Sequence, residues 1–130
     1  MKFSLAIVLA VFSTSAYADD CDVARSELNT FDAVYCQNKV FIAEDVRLNE
    51  NYGILRGLLS ANGRNALRTG QRNWIEYRND ECTGTSERWG EVVYARCAKE
   101  TTRERADFLG NRITECETVG CQISKLSDLR

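Results

Sequence analysis

Three segments of the chain carry hydrophobic residues at the three- and four-residue spacing of amphipathic helices. The first segment predicts a helix from about Lys39 to Ser60, with an apolar stripe of Phe41, Leu48, Tyr52, Leu55 and Leu59. The second predicts a helix from about Asn65 to Cys82, on a stripe of Leu67, Gln71, Trp74, Arg78 and Cys82. The third predicts a helix from near Glu91 to Ile113, on a stripe of Tyr94, Ala98, Thr102, Arg105, Leu109 and Ile113.

Capping and turn residues mark the ends of these segments. Asn29-Thr30 predicts a short helical turn over Phe31 to Tyr35, and Asn38 predicts the start of the long helix. Gly63 is expected to end that helix in a left-handed conformation. Thr83 to Ser86 is expected to be loop, since no segment alternates like a strand. The predicted fold class is therefore all-α, a small antiparallel bundle of three main helices plus a short N-terminal helical turn, tied by disulfides.

An almost wholly apolar run lies near the start of the chain, from Phe3 to Phe12, after the basic residue Lys2. It is about ten residues long and too short to cross a hydrocarbon core of about 30 Å. The small residues that follow end in Ala16-Tyr17-Ala18, which is typical of a signal-peptide cleavage site. We therefore expect a signal peptide over 1–18, a single domain over 19–130, and a periplasmic or secreted protein without a stable membrane anchor.

Charge and composition exclude several classes of function. Without Lys2 the formal net charge is −3 rather than −2, so no basic excess favours nucleic acid as a partner. The chain has no histidine, which excludes Ser-His-Asp catalysis and most zinc sites. No other nucleophile stands beside a candidate base. We expect a protein that is not an enzyme and that has no cofactor or metal.

Six cysteines follow the predicted cleavage site: Cys21, Cys36, Cys82, Cys97, Cys116 and Cys121. An even number of cysteines in an exported chain predicts three disulfides, although sequence alone permits many connectivities. We predict that neighbours pair, Cys21 with Cys36, Cys82 with Cys97 and Cys116 with Cys121. This pairing requires the chain to bend near Leu28-Asn29-Thr30 and again between Cys82 and Cys97, because disulfide-bonded Cα atoms lie close together.

Polar residues also fall within or beside the three stripes, at Asp45, Asn49, Gln71, Arg78, Thr102 and Arg105. A buried polar side chain is unfavourable unless it is hydrogen-bonded, so these residues are expected to meet one another. Asp45 is predicted to accept hydrogen bonds from Arg78 or Arg105. The favoured interpretation is a buried network that fixes the register of the helices. A small anion-binding cleft is the alternative, and a catalytic site is disfavoured because no second acid or nucleophile accompanies it.

The same residues form motifs that resemble a known family. These motifs are Asp45-x-x-Leu48-Asn49-x-x-Tyr52, then Gln71-Arg72-x-Trp74-x-x-Tyr77-Arg78-x-x-x-Cys82, then Cys97-x4-Thr102-x-x-Arg105-x3-Leu109. In order and spacing they resemble the LprI-like lysozyme-inhibitor domain family of small exported helical proteins. The resemblance spans about Cys21 to Ile113 and leaves out the tail that carries Cys116 and Cys121. It implies a protein partner, lysozyme or another cell-wall hydrolase.

The segment from Thr83 to Gly90, held by Cys82 and further along by Cys97, is the most eligible contact loop for such a partner. It carries Glu87, Arg88 and Trp89, and Trp and Arg commonly anchor protein interfaces. The favoured alternative for Trp89 is a side chain packed on the bundle as a cap. For the whole protein, the alternative function is an envelope stress or structural protein, or an immunity protein against a periplasmic toxin, without lysozyme inhibition.

Overall fold

A computed structural model describes Cys21 and residues 28–129, and the predicted signal peptide lies outside these residues. In the described part the chain forms three long helices, α1 (Thr30–Leu58), α2 (Ala61–Cys82) and α3 (Ala95–Thr118). A small antiparallel hairpin, β1 (Thr83–Ser86) and β2 (Gly90–Val93), joins α2 to α3. A short 3-10 helix, Ile123–Lys125, follows in the tail. The predicted class, a mostly helical bundle tied by disulfides, is confirmed.

The N-terminal helix is continuous, so the predicted division into a short turn and a helix from Lys39 is wrong. Asn29 is the N-cap, and its side-chain oxygen accepts a hydrogen bond from the main-chain N–H of Asp32 at 2.9 Å. Between Thr30 and Tyr52 the chain contains neither glycine nor proline. An exposed asparagine such as Asn38 is only mildly unfavourable inside a helix, so it does not end α1.

The break between α1 and α2 lies at Leu59 and Ser60, whose backbones are extended. The side chain of Ser60 accepts a hydrogen bond from the N–H of Gly63, so Ser60 is the N-cap of α2. The prediction of Gly63 as a left-handed cap is therefore wrong. Gly63 lies in the first turn of α2, where a Cβ atom would stand 3.0 Å from the Leu59 side chain. Its small size permits the close turn between the two helices.

The three helices alternate in direction, so α2 is antiparallel to both neighbours and α1 is parallel to α3. Along the α1–α3 contact, Glu44 pairs with Arg103 at 3.0 Å, and Asn51 donates to the Ala106 carbonyl at 2.9 Å. Residue numbers rise together on the two helices, as parallel packing requires. The expectation of antiparallel neighbours holds for α2, whereas the extensive α1–α3 contact is parallel.

An ion-pair cluster ties α1 to α3 at this contact. Arg47 bridges Glu44 on its own helix and Asp107 on α3, at 2.6 and 2.7 Å. Partial burial alone would raise the pKa of Glu44, but hydrogen bonds from Arg47 and Arg103 outweigh it and lower that pKa below the ordinary 4.5. Glu44 is therefore held as a carboxylate between the two helices.

The hydrophobic core draws on all three helices and on the tail. Its buried members are Leu48 and Leu55 from α1, Leu59 from the break after it, Leu67 and Trp74 from α2, Ala106 and Leu109 from α3, and Leu126 from the tail. The tail approaches α2 closely at Gly70, where a Cβ atom would collide with the carbonyl oxygen of Leu126. The segment after Cys121 is thus part of the fold.

The disulfides pair in the predicted order, Cys21–Cys36, Cys82–Cys97 and Cys116–Cys121. The chain bends at Leu28, as the first pair requires. Cys82 ends α2 and Cys97 lies in the first turn of α3, so the second disulfide closes the base of the hairpin. The third ties the end of α3 to the tail.

Candidate functional site: a polar centre and a projecting hairpin

Arg105 is the centre of the buried polar cluster. Its side chain is fully buried, and its Nε donates to Gln71 Oε1 at 3.1 Å. Its Nη1 donates to the main-chain carbonyls of Asp128 and Leu129, at 2.7 and 3.3 Å. Desolvation lowers the pKa of this guanidinium to about 10, a value that still leaves it charged at neutral pH.

Aromatic faces complete the surroundings of Arg105. The guanidinium carbon lies 4.6 Å from the ring centre of Phe108 and 6.0 Å from that of Trp74. Its Nη2 and the hydroxyl of neighbouring Thr102 are buried and have no hydrogen-bond partner among the residues that the structure describes. Since the tail covers the guanidinium, this centre is not open to solvent, and its contacts bind the tail to the bundle.

The other residues of the predicted network do not join this centre. Asp45 lies on the outer side of α1, where its carboxylate accepts from Asn49 at 3.1 Å. Arg78 is half-buried at the end of α2, bonds to Asn79 and lies 5.2 Å from the ring centre of Trp74. The predicted pairing of Asp45 with Arg78 or Arg105 is therefore wrong. The helical stripe correctly predicts that Arg105 and Thr102 are buried. It does not predict that main-chain carbonyls of the tail accept the hydrogen bonds of Arg105.

The loop predicted between α2 and α3 is a hairpin. Its strands pair Thr83 with Val93 at the base and Ser86 with Gly90 at the tip. Three residues, Glu87, Arg88 and Trp89, form the turn, which we call the hairpin tip. The Ser86 hydroxyl accepts hydrogen bonds from the N–H groups of Arg88 and Trp89, at 3.3 Å each. Gly90 follows with φ of +71°, a left-handed conformation that glycine adopts without strain.

The hairpin tip projects into solvent. Trp89 is 72% exposed, so the interpretation of this residue as a cap packed on the bundle is wrong. The guanidinium carbon of Arg88 lies 4.9 Å from the Trp89 ring centre, within the range of a cation–π contact. Both ends of the hairpin are fixed, by the Cys82–Cys97 disulfide and by a hydrogen bond from the N–H of Tyr94 to the Cys82 carbonyl at 2.8 Å.

The sequence places Tyr94 on the inner stripe of α3, but Tyr94 is the N-cap residue of that helix. It lies at the base of the hairpin, half-exposed, with its hydroxyl against Gly84. Helix α3 begins only at Ala95, because β2 uses the residues before it. Beside Tyr94 a cleft of about 440 Å³ separates the start of α1 from the start of α3. Its lining includes Leu28, Ala33, Val34, Gln37, Tyr94 and Arg96. The sequence does not indicate this cleft, because its walls come from two segments that are distant in the chain, 28–37 and 94–96.

In the part of the chain that the structure describes, no group of cysteine and carboxylate side chains could hold a metal ion. Over the same residues, none of the helices combines the length and hydropathy needed to cross a membrane. The hairpin presents two groups that commonly contact proteins, the exposed ring of Trp89 and the guanidinium of Arg88, on a support closed by a disulfide. These features are common in protein-binding surfaces, and here they stand on a disulfide-tied helical bundle.

Residues 21–109 match the model of the family described as Lysozyme inhibitor LprI. The match covers well over half of the chain, and the protein belongs to this family. No curated protein and no solved structure matches the chain at a significant level. Membership suggests a lysozyme-inhibitor-like function, and hence a protein partner rather than a reaction of its own. Together with the disulfides, it indicates a protein that works outside the cytoplasm.

Proposed function

We propose that this protein is a periplasmic or secreted inhibitor of lysozyme or another cell-wall hydrolase, and that the hairpin tip contacts the enzyme. In this proposal 1–18 is a signal peptide, and the chain from Asp19 to Arg130 is the working form. The observation that carries the proposal is the exposure of Trp89 on a turn whose base is closed by Cys82–Cys97. An exposed indole on a braced projection has no role in the packing of this bundle.

Rigidity supports an inhibitory role for the hairpin. A loop that must be ordered on binding loses affinity to conformational entropy, whereas a pre-ordered loop does not. Here the disulfide, the strand pairing and the two hydrogen bonds to Ser86 fix the turn before any partner arrives. The tip can therefore enter a concave surface as a unit.

The chemistry of the tip suits the active-site cleft of a glycoside hydrolase. Most such clefts contain two catalytic carboxylates, which favour a guanidinium such as that of Arg88. Trp89 supplies a large apolar ring beside that charge, and Trp and Arg are the residue types that most often dominate protein interfaces. The net charge of −3 would in addition draw the protein towards strongly basic lysozymes.

An inhibition assay with purified Asp19–Arg130 tests the proposal. Lysozymes of several classes would be assayed on bacterial cell walls across a concentration series of the protein. We expect a dose-dependent loss of lytic activity with at least one class. No inhibition of any class at micromolar protein would contradict the proposal. In that case a pull-down from envelope extracts would test the alternative, an envelope stress or structural protein or an immunity protein, by identifying a partner that is not a hydrolase.

A further inference from the structure

Helix α1 carries exposed hydrophobic residues on its outer side as well as buried ones on its inner side. Hydrophobic residues of α2 and α3 concentrate on one face, whereas those of α1 are spread almost evenly round the helix. The outer face of α1 carries Phe31, Tyr35, Ile42 and Val46, with Ile42 61% and Val46 52% exposed. Exposed apolar residues grouped on one surface often mark an interaction site. Within the described chain, nothing covers this outer face.

Two glycines continue the same line of α1 towards its C-terminal end. Gly53 lies seven residues after Val46, and Gly57 follows one turn later. A Cβ atom at either position would meet nothing within 4 Å. Each glycine costs a helix about 1 kcal/mol relative to alanine, and no contact with the described residues requires that small size.

We propose that the outer face of α1 binds the same face of a second copy of this chain, with the two helices antiparallel. The register that sets Val46 opposite Gly53 of the second copy also sets Ile42 opposite its Gly57. Each of the two bulky side chains, Val46 and Ile42, then packs against a glycine of the other copy. Because the dimer axis is two-fold, every such contact is made twice.

Charge on one flank of α1 agrees with this register. Asp45 and Arg56 are eleven residues, or three turns, apart and lie on the same flank. A two-fold axis brings like flanks together, so Asp45 of one copy comes close to Arg56 of the other. In the described part of the chain the Arg56 guanidinium has no ion-pair partner. On the other flank the two copies of Glu50 lie near the axis and repel each other, which keeps the association weak.

The contact is of limited size and is distinct from the hairpin tip. The paired stretch, residues 41–58, is about 27 Å long, and a single helix pair of this length lies at the low end of specific interfaces, which bury at least about 1,000 Å². Its centre lies near Asn49, whereas the hairpin lies at the end of the bundle where α1 begins. Self-association therefore leaves Trp89 free for another partner.

Sedimentation velocity of Asp19–Arg130 from micromolar to millimolar concentration tests the proposal. We expect a reversible shift from monomer to dimer. Val46→Glu should abolish it, and Gly53→Leu should weaken it at least about tenfold. Ile75→Glu, a matched change at an exposed apolar residue of α2, should leave it intact.

Gly53→Leu provides the sharpest discrimination. Leucine is a better helix former than glycine, so the variant should melt at a higher temperature while it dimerises less. A protein that stays monomeric at millimolar concentration would overturn the proposal. Wild-type association of both Val46→Glu and Gly53→Leu would overturn it as well. Binding of the monomer to phosphatidylglycerol vesicles, lost in Val46→Glu, would also overturn it and would assign the outer face to a membrane surface.

Discussion

Arg105 Nη1 lies 2.7 Å from the main-chain oxygen of Asp128, so a buried guanidinium on α3 holds the tail by its backbone. Arg105 lies inside the part of the chain that matches the family, and Asp128 lies outside it. The contact needs no particular side chain at position 128. A residue of the family motif therefore helps to hold the tail on the bundle, beside the Cys116–Cys121 disulfide and the buried side chain of Leu126.

Arg105→Ala should destabilise the protein by about 3 kcal/mol, because it removes a buried side chain and leaves carbonyls without donors. Arg78→Ala is the matched control. Arg78 also lies against Trp74 but is half-exposed and bonds only to Asn79 among the contacts seen, so its loss should amount to at most about 1 kcal/mol. Urea unfolding of both variants measures the difference. Equal losses would contradict the assignment of Arg105 as the centre.

Gly70→Ala should destabilise the protein by about 1–3 kcal/mol, although alanine favours helices, because its Cβ would collide with the Leu126 carbonyl. Gly53→Ala, in α1, meets no atoms and should instead stabilise by about 1 kcal/mol. Thermal melts at low micromolar concentration should show a lower melting temperature for Gly70→Ala and a higher one for Gly53→Ala. A stabilising Gly70→Ala would show that the tail does not lie against α2.

Hydrophobic spacing was sufficient to predict the three helices, because residues such as Trp74 and Leu109 belong to long, regular stripes. It could not predict the hairpin, whose four-residue strands are too short to show alternation. A stripe also gives the buried face of a helix but not the neighbour that covers it. For this reason Arg105 was correctly placed inside, whereas Asp45 was wrongly assigned as its partner.

Glu44→Gln should destabilise the protein at neutral pH but not in acid. The pKa of Glu44 is lower in the folded protein than its ordinary 4.5, so its carboxylate stabilises the fold above that pH, and the contribution is lost as the pH falls through the lowered pKa. Melts of wild type and variant at pH values from neutral to strongly acidic should therefore converge in acid. A constant gap between the two proteins would show that Glu44 does not form the ion pairs with Arg47 and Arg103.

Replacement of both Cys82 and Cys97 by serine should weaken the fold by about 3 kcal/mol, the loop-closure estimate for a cross-link spanning about 15 residues, which is the separation here. It should also weaken inhibition at temperatures where the variant is still folded, because the base of the hairpin is released. Circular dichroism establishes the folded range, and the lysozyme assay is then run within it. Full inhibition by the folded variant would show that the hairpin needs no cross-link.

The most direct test of the proposed function compares inhibition by wild type, Trp89→Ala and Val119→Ala. Val119 is 75% exposed, like Trp89, but lies at the end of α3 remote from the hairpin. Neither change should alter the melting temperature by much, because neither side chain is packed in the core. Trp89→Ala should raise the inhibition constant at least about tenfold, in keeping with the loss of an interface hot spot, and Val119→Ala should leave it unchanged. Equal inhibition constants for all three proteins would contradict the assignment of the hairpin tip as the contact with the enzyme.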